Sequence, residues 1–150
     1  MNIVPKISLI MSVYNGEDYL AETIDSVLSQ TFTEWEFIII NDCSTDKTSQ
    51  MLEEYAAKDN RIKVHTNETN LRLPSSLNKA LSLAQGKYVA RMDADDICMP
   101  DRLQKQYDFM ESNPQIDLSS CRFMTLKNGV YSSGGCGGKD DDASIKALLL

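Results

Sequence analysis

Four times along this chain an apolar, β-rich run gives way to a segment whose apolar residues fall at helical spacing, and no other feature narrows the fold as much. Ile7–Val13 (ISLIMSV) and residues 35–40 (WEFIII) are dense in β-branched and aromatic side chains and are predicted to be buried strands. Between them Leu20, Ile24, Val27 and Leu28 fall at i, i+4, i+7 and i+8, one face of a helix. STDKTSQMLEEYAAKD carries helix-start chemistry, with Met51, Leu52 and Tyr55 on one face. Residues 62–65 predict a short third strand, and Leu77, Ala80, Leu81 and Ala84 a helix that Pro74 opens and Gly86 ends. Residues 88–92 predict a fourth strand, followed by a helix from Pro100 through Leu103, Tyr107 and Met110 that stops before Pro114. Residues 118–126 predict a fifth strand, and Asn128-Gly129 a hairpin turn.

Such alternation builds βαβ units with right-handed crossovers, hence an α/β fold with a mostly parallel sheet and helices on both faces. At 150 residues there is room for one such domain and no second full one. From Ser132 the pattern dissolves into SSGGCGGKDDD, expected to be mobile, and SIKALLL then reads as the start of a further helix.

Ligands of open parallel sheets bind outside the carboxyl ends of the strands, so the residues just after each strand carry the chemistry. After the first come Ser12, Tyr14 and Glu17, where Tyr14 offers a flat face for a base to stack on. Asp42 comes after the second and reads either as a turn or capping acid or as an acceptor for the N–H of a ring base. Ser44, Thr45 and Asp46 read more simply as helix caps. After the fourth strand the chain empties into Asp93-Ala94-Asp95-Asp96. In an extended segment Asp93 and Asp95 share a face and Asp96 takes the other, where it is free to cap the helix at Pro100. Two convergent carboxylates suit a hard divalent cation whose remaining ligands are phosphate oxygens. His65, inside an apolar strand, reads as packing; Arg72 and Lys79 are either phosphate contacts or solvated surface charges.

A formal charge of -7 argues against a nucleic-acid partner, though not against one small phosphorylated ligand carried with a cation. Cys43, Cys98, Cys121 and Cys136 form no CxxC pair, which disfavours zinc. Their scatter, with an N-terminal apolar run too short for a signal peptide, fits reduced thiols and a cytoplasmic location. No stretch reaches the roughly 20 apolar residues of a membrane span. A receiver-like signalling domain wants acids where Met11-Ser12-Val13-Tyr14 stands, and a nicotinamide dehydrogenase wants GxGxxG after the first strand; neither pattern is present.

In order and spacing, ISLIMSVYNGEDYLAETIDSVLSQTFTEWEFIIINDCSTDKT and NLRLPSSLNKALSLAQGKYVARMDADDICMPDRLQKQ resemble the GT-A fold glycosyltransferases of family 2, over about the first 125 residues. The resemblance implies transfer of a sugar, with inversion, from a nucleotide-diphospho-sugar (by family habit a UDP-sugar) to a saccharide or lipid-linked hydroxyl acceptor. It also implies a role in bacterial polysaccharide or cell-surface glycan synthesis, at the inner face of the membrane in a longer protein. Residues 1–126 would be the donor-binding domain and 127–150 a hairpin, a mobile segment and the start of the acceptor-binding half. Carried over, Ser12, Tyr14 and Glu17 surround the nucleoside, Asp42 meets the base, Asp93 lies near ribose and metal, and Asp95 ligates Mn²⁺ or Mg²⁺. The family's inverting base lies downstream of residue 150, so this stretch is also readable as a binding module without transfer. Two departures stand out: Asn41 replaces the first acid of the pair after the second strand, and Arg72 replaces a glycine common in the family's NxG segment.

Overall fold

The structure, a computed structural model, describes residues 4–121, 123–127 and 130–134. The chain divides into two compact units, Met1–Asn113 and Pro114–Leu150. In the first, strands β1 (Ile7–Val13), β2 (Trp35–Asn41), β3 (Ile62–Thr66) and β4 (Tyr88–Arg91) alternate with helices α1 (Leu20–Leu28), α2 (Thr48–Lys58), α3 (Arg72–Leu83) and α4 (Arg102–Ser112). The sheet is parallel with order β3-β2-β1-β4. The chain thus winds outward from β1 to β3, then returns through α3 to lay β4 on the other side of β1.

β1 and β2 are apolar on both faces because both are covered. Leu9, Met11, Phe37 and Ile39 face a core closed by Leu20, Ile24 and Val27 of α1, Leu52 of α2 and Leu103 of α4. Ile10, Ile38 and Ile40 face the other way, against Leu77 and Ala80 of α3. β4 is only half covered: Tyr88 and Ala90 join the larger core, whereas Val89 and Arg91 are exposed.

The return of β4 depends on a contact at the amino end of the sheet. Gly86 passes so close to β1 that an added Cβ would lie 2.6 Å from the Ser8 amide nitrogen and 2.8 Å from the Ile7 carbonyl carbon. Its N–H donates to Ser8 Oγ at 2.8 Å, and the Gln85 N–H donates to Glu36 Oε1 at 2.8 Å. Ser8 Oγ in turn donates to Glu36 Oε1 (2.6 Å), and Lys63 Nζ binds Glu36 Oε2 (2.6 Å). Burial acts to raise the Glu36 carboxyl, but Lys63, Ser8 and Gln85 outweigh it and hold it below the ordinary glutamate range.

The second unit contains a two-stranded antiparallel hairpin, β5 (Phe123–Lys127) with β6 (Val130–Gly134). Strand structure therefore begins at Phe123, not at Leu118, which is exposed and lies in a stretch with no strand ladder. Ser132 to Gly134, expected to be mobile, are in β6, where backbone pairing with Phe123, Met124 and Thr125 overrides the poor strand propensity of serine and glycine. The Asn128-Gly129 turn, Cys136, the GCGGKDDD stretch from residue 135 on and SIKALLL lie outside the described residues. Among the described residues no helix is long and apolar enough to cross a membrane.

Two stability measurements check the amino-end contact. Gly86→Ala is expected to cost about 1–3 kcal/mol in urea unfolding, since the backbone it strikes cannot move aside. The Glu36 carboxyl is depressed in the fold, so its contribution is present above the unfolded glutamate pKa and lost as pH falls through the folded value. Glu36→Gln is expected to lower stability at pH 7 and to flatten that acid-side loss in unfolding curves taken at successive pH values.

Candidate functional site

At the carboxyl end of the sheet, where strand order reverses between β1 and β4, a cleft of about 410 Å³ opens. It is lined by Ser12 to Gly16 after β1, by Tyr19, by Leu73 in the first turn of α3, and by Asp93, Ala94 and Asp95 after β4. A switch point is where two loops diverge and leave a crevice between strand ends. Of the residues expected at a site, Ser12, Tyr14, Asp93 and Asp95 border this cleft. Tyr14, Tyr19 and Leu73 are about half exposed and give it an apolar rim.

The acidic segment is a turn rather than a strand end. β4 stops at Arg91, and the Asp96 N–H donates to the Asp93 carbonyl at 3.2 Å. The alternation expected of Asp93, Asp95 and Asp96 therefore does not apply. Asp96 does not cap α4 either: that helix begins at Arg102 with Asp101 before it and no side-chain cap. Partial burial, then the charges of Asp93 and Asp95, raise the Asp96 carboxyl above the ordinary aspartate range. Arg91 forks onto Asp93, with Nε and Nη2 at 3.0 and 2.8 Å from Oδ1. Both side chains are about half exposed, so the pair is screened and exchangeable.

These acids fit a hard cation held jointly with a ligand. Asp93 and Asp95 both border the cleft and bring two carboxylates to it. Among the described residues no three Asp, Glu, His or Cys side chains converge into a protein-only cage. Such a cation would take its other oxygens from phosphate or water.

Asp42 and Glu17 are placed differently. Asp42 is 2% exposed, and its Oδ1 accepts the Asn67 amide and the Leu71 backbone N–H, each at 2.8 Å. Burial acts to raise its carboxyl, but donors from Asn67, Leu71, Ser76 and Arg72 outweigh it and hold it low. Asn67 also donates to Ser76 Oγ (2.9 Å), and its Oδ1 accepts a hydrogen bond from the half-buried Lys79 Nζ (2.7 Å). Glu17 is exposed; its Oε2 accepts the Lys47 N–H (3.0 Å) at the start of α2, and its own N–H donates to Asp46 Oδ2 (3.1 Å). Asp46 Oδ1 accepts the Thr48 N–H at 3.0 Å, one residue outside the Lys47 N-cap of α2. Asn15 Oδ1 accepts the Thr45 N–H (2.8 Å), and the Gly16 N–H reaches Thr48 Oγ1 (2.8 Å), so the loops after β1 and β2 are stitched together. His65 sits in β3, paired with Ile40.

Asn15 and Cys43, in the loops after β1 and β2, and Arg72, the first residue of α3, adopt positive φ (52°, 65° and 66°). Backbone strain of this kind persists where surrounding bonds over-determine it. At Arg72 they do: its N–H is held by Asn70 Oδ1 at 3.1 Å, between Leu71, bound to Asp42, and Leu73 at the cleft.

Residues that sequence reasoning passes over hold the segment that leads from the site into α4. Thr23, Ser26 and Gln30 are buried polar side chains on and just after α1, bonded to the backbone that runs on from Asp93. Their i, i+3, i+7 spacing is the available signal, obscured when the helix is read by its apolar face alone.

Comparison with known proteins gives a consistent picture. Residues 8–133 match the sequence profile described as Glycosyl transferase family 2. EpsE of Bacillus subtilis, which carries a glycosyltransferase name, is 50% identical over 114 residues, covering 75% of this chain and 41% of that protein. TuaG of the same organism, named for teichuronic acid biosynthesis, is 46% identical over 109 residues, covering 73% and 43%. The structure of S. aureus TarS in complex with UDP-GlcNAc superposes with a TM-score of 0.69 at 36% identity, covering 73% of this chain and 32% of that one. The chain thus spans less than half the length of these relatives.

The Arg72 geometry has a measurable consequence. Arg72→Gly relieves a left-handed non-glycine residue at some cost in unfolded-chain entropy, and is expected to gain up to about 1 kcal/mol in urea unfolding.

Proposed function

Starting from a chain that belongs to glycosyl transferase family 2, we propose that its β1–β4 cleft binds a nucleotide-diphospho-sugar, most simply a UDP-sugar. The longer protein would pass the sugar to a saccharide or lipid-linked hydroxyl with inversion. The observation that carries this reading is the meeting, in one cleft, of the β1 end with Ser12 and Tyr14 and the β4 turn with Asp93 and Asp95. That pairing sets an aromatic face and a hydroxyl beside carboxylates able to hold a metal-bound diphosphate. The complexes of TarS with UDP and UDP-GlcNAc support the ligand class, and the name of TuaG supports a place in bacterial surface-glycan synthesis.

The residues divide the work. Tyr14 supplies a stacking surface for the base and Ser12 a hydroxyl beside it. Asp42 is assigned to the base, and the donors gathered around its buried carboxylate keep it ionised, an acceptor only. Glu17 sets the loop around the nucleoside by tying it to the start of α2. Asp95 is the metal ligand, with Asp93 between ribose and metal once it leaves Arg91. Mn²⁺ or Mg²⁺ bound there supplies charge neutralisation for the departing diphosphate. Residues 1–126 form the donor-binding part in this reading. The general base is placed in the stretch of the longer relatives that this chain does not span, with the acceptor. A donor-binding module without transfer is the second reading.

Calorimetry with a panel of nucleoside diphosphates, with and without Mn²⁺, checks the assignment. UDP is expected to bind, more tightly with Mn²⁺, and Asp95→Ala to abolish the difference. Failure of every nucleotide to bind would sink the donor site. A longer protein carrying this stretch that binds but transfers no sugar would favour the module.

A further inference from the structure

A helix facing a core normally presents apolar side chains, yet one side of α1 and its exit presents Thr23, Ser26 and Gln30, only 1%, 9% and 5% exposed. Buried polar groups cost free energy unless hydrogen-bonded. Here the bonds go to the segment running from the acidic turn into α4. Gln30 Nε2 donates to the Met99 carbonyl at 2.7 Å, and its Oε1 accepts the Leu103 N–H at 3.1 Å. Ser26 Oγ accepts the Cys98 N–H at 2.9 Å and donates to the Thr23 carbonyl at 2.7 Å. Thr23 Oγ1 donates to the Ala94 carbonyl at 2.8 Å.

The last contact differs in kind from the others. Ser26 and Gln30 hold backbone beyond the acids, whereas the Ala94 carbonyl belongs to the peptide joining Ala94 to Asp95, directly between the two acids of the cleft. Rotation of that peptide swings Asp95 relative to Asp93, and the turn bond from Asp96 N–H to the Asp93 carbonyl, 3.2 Å long, spans the same peptide. Both acids are exposed enough to move, so their relative placement rests on the backbone beneath them.

We propose that Thr23 is a positioning residue for the acidic pair: through the Ala94 carbonyl it sets how Asp93 and Asp95 meet a cation-bound diphosphate. This rests on the donor-site reading above. The hydroxyl touches neither nucleotide nor metal; it acts by fixing one peptide plane, and Ser26 and Gln30 anchor the remainder of the segment. Pre-set geometry of this kind spares a two-acid site the ordering cost of gathering its ligands at each binding event.

The test compares Thr23→Val, which keeps shape and removes the donor, with Thr23→Ser, which keeps the donor, in the 150-residue chain. UDP affinity is measured by calorimetry with and without Mn²⁺, and amide exchange at Asp95 and Asp96 without ligand. In Thr23→Val, metal-free UDP affinity is expected to hold, while the gain conferred by Mn²⁺ falls roughly three- to tenfold, the worth of one net hydrogen bond. Exchange at the two amides rises, and Thr23→Ser restores both readouts. Gln30→Met is the control, expected to lower the melting temperature with the Mn²⁺ gain intact. A wild-type Mn²⁺ gain in Thr23→Val, or an equal loss in Gln30→Met, overturns the proposal. A wild-type chain that binds UDP with no Mn²⁺ gain removes the metal assignment of the donor-site reading instead; unchanged exchange in Thr23→Val then overturns the ordering role as well. Thr23→Ala replaces the valine variant if that does not fold.

Discussion

The pairing of β4 with β1 is the constraint on which the rest of the first unit depends. Without it the three strands β1, β2 and β3 form a sheet wound in one direction, with no reversal of order and no crevice at its carboxyl end. The pairing rests on Gly86, whose missing side chain lets the chain pass against the Ser8 backbone, and on Glu36, which collects Ser8, Gln85 and Lys63 around one buried carboxylate. A contact at the amino end of the sheet thus decides where the acids appear at the opposite end. Buried charge is tolerated there because both carboxylate oxygens have donors within reach.

At the carboxyl end the loops are organised by the same rule, applied three times. The loops after β1 and β2 are joined by Asn15, Gly16 and Glu17 against Thr45, Lys47 and Thr48. The loop after β3 hangs on Asp42 and Asn67. The turn after β4 hangs on Thr23, and the segment that follows it on Ser26 and Gln30. Polar side chains that propensity would place on the surface are buried because each satisfies backbone that has left the regular ladder. The positive-φ residues lie in the first two of these loops and where the third enters α3, where the bonds are dense enough to hold a strained backbone. The acids after β4 remain open to solvent, with Asp93 paired to Arg91.

Much of this is legible in the chain. The first four strands emerge within a residue or two, since ISLIMSV and WEFIII are apolar on both faces only if helices cover both sides. Ser12, Tyr14, Asp93 and Asp95 stand at or just past strand ends, the positions where a parallel sheet offers its side chains to a ligand, and they line one cleft. Strand alternation misses the turn at Ala94-Asp95 because it carries past the end of β4, where no neighbour continues the ladder. Leu118 reads as strand from its own apolarity, and Ser132 to Gly134 as mobile from their lack of it; pairing partners decide both cases. Thr23, Ser26, Gln30 and Asn67 are invisible for a related reason: a polar residue signals burial only through a partner some 25 to 70 positions away.

What the sequence determined by itself is the local alphabet: which segments are strand or helix, that the sheet is parallel, and which side chains sit just beyond each strand. These depend on periodicity and composition over a few residues. Only the tertiary structure decided which strand ends meet, that Asp42 is enclosed while Asp93 and Asp95 are open, and that a threonine on α1 holds the peptide between two acids. Those outcomes depend on the return of β4 across the sheet, and on hydrogen bonds between residues whose separation along the chain says nothing about their separation in space.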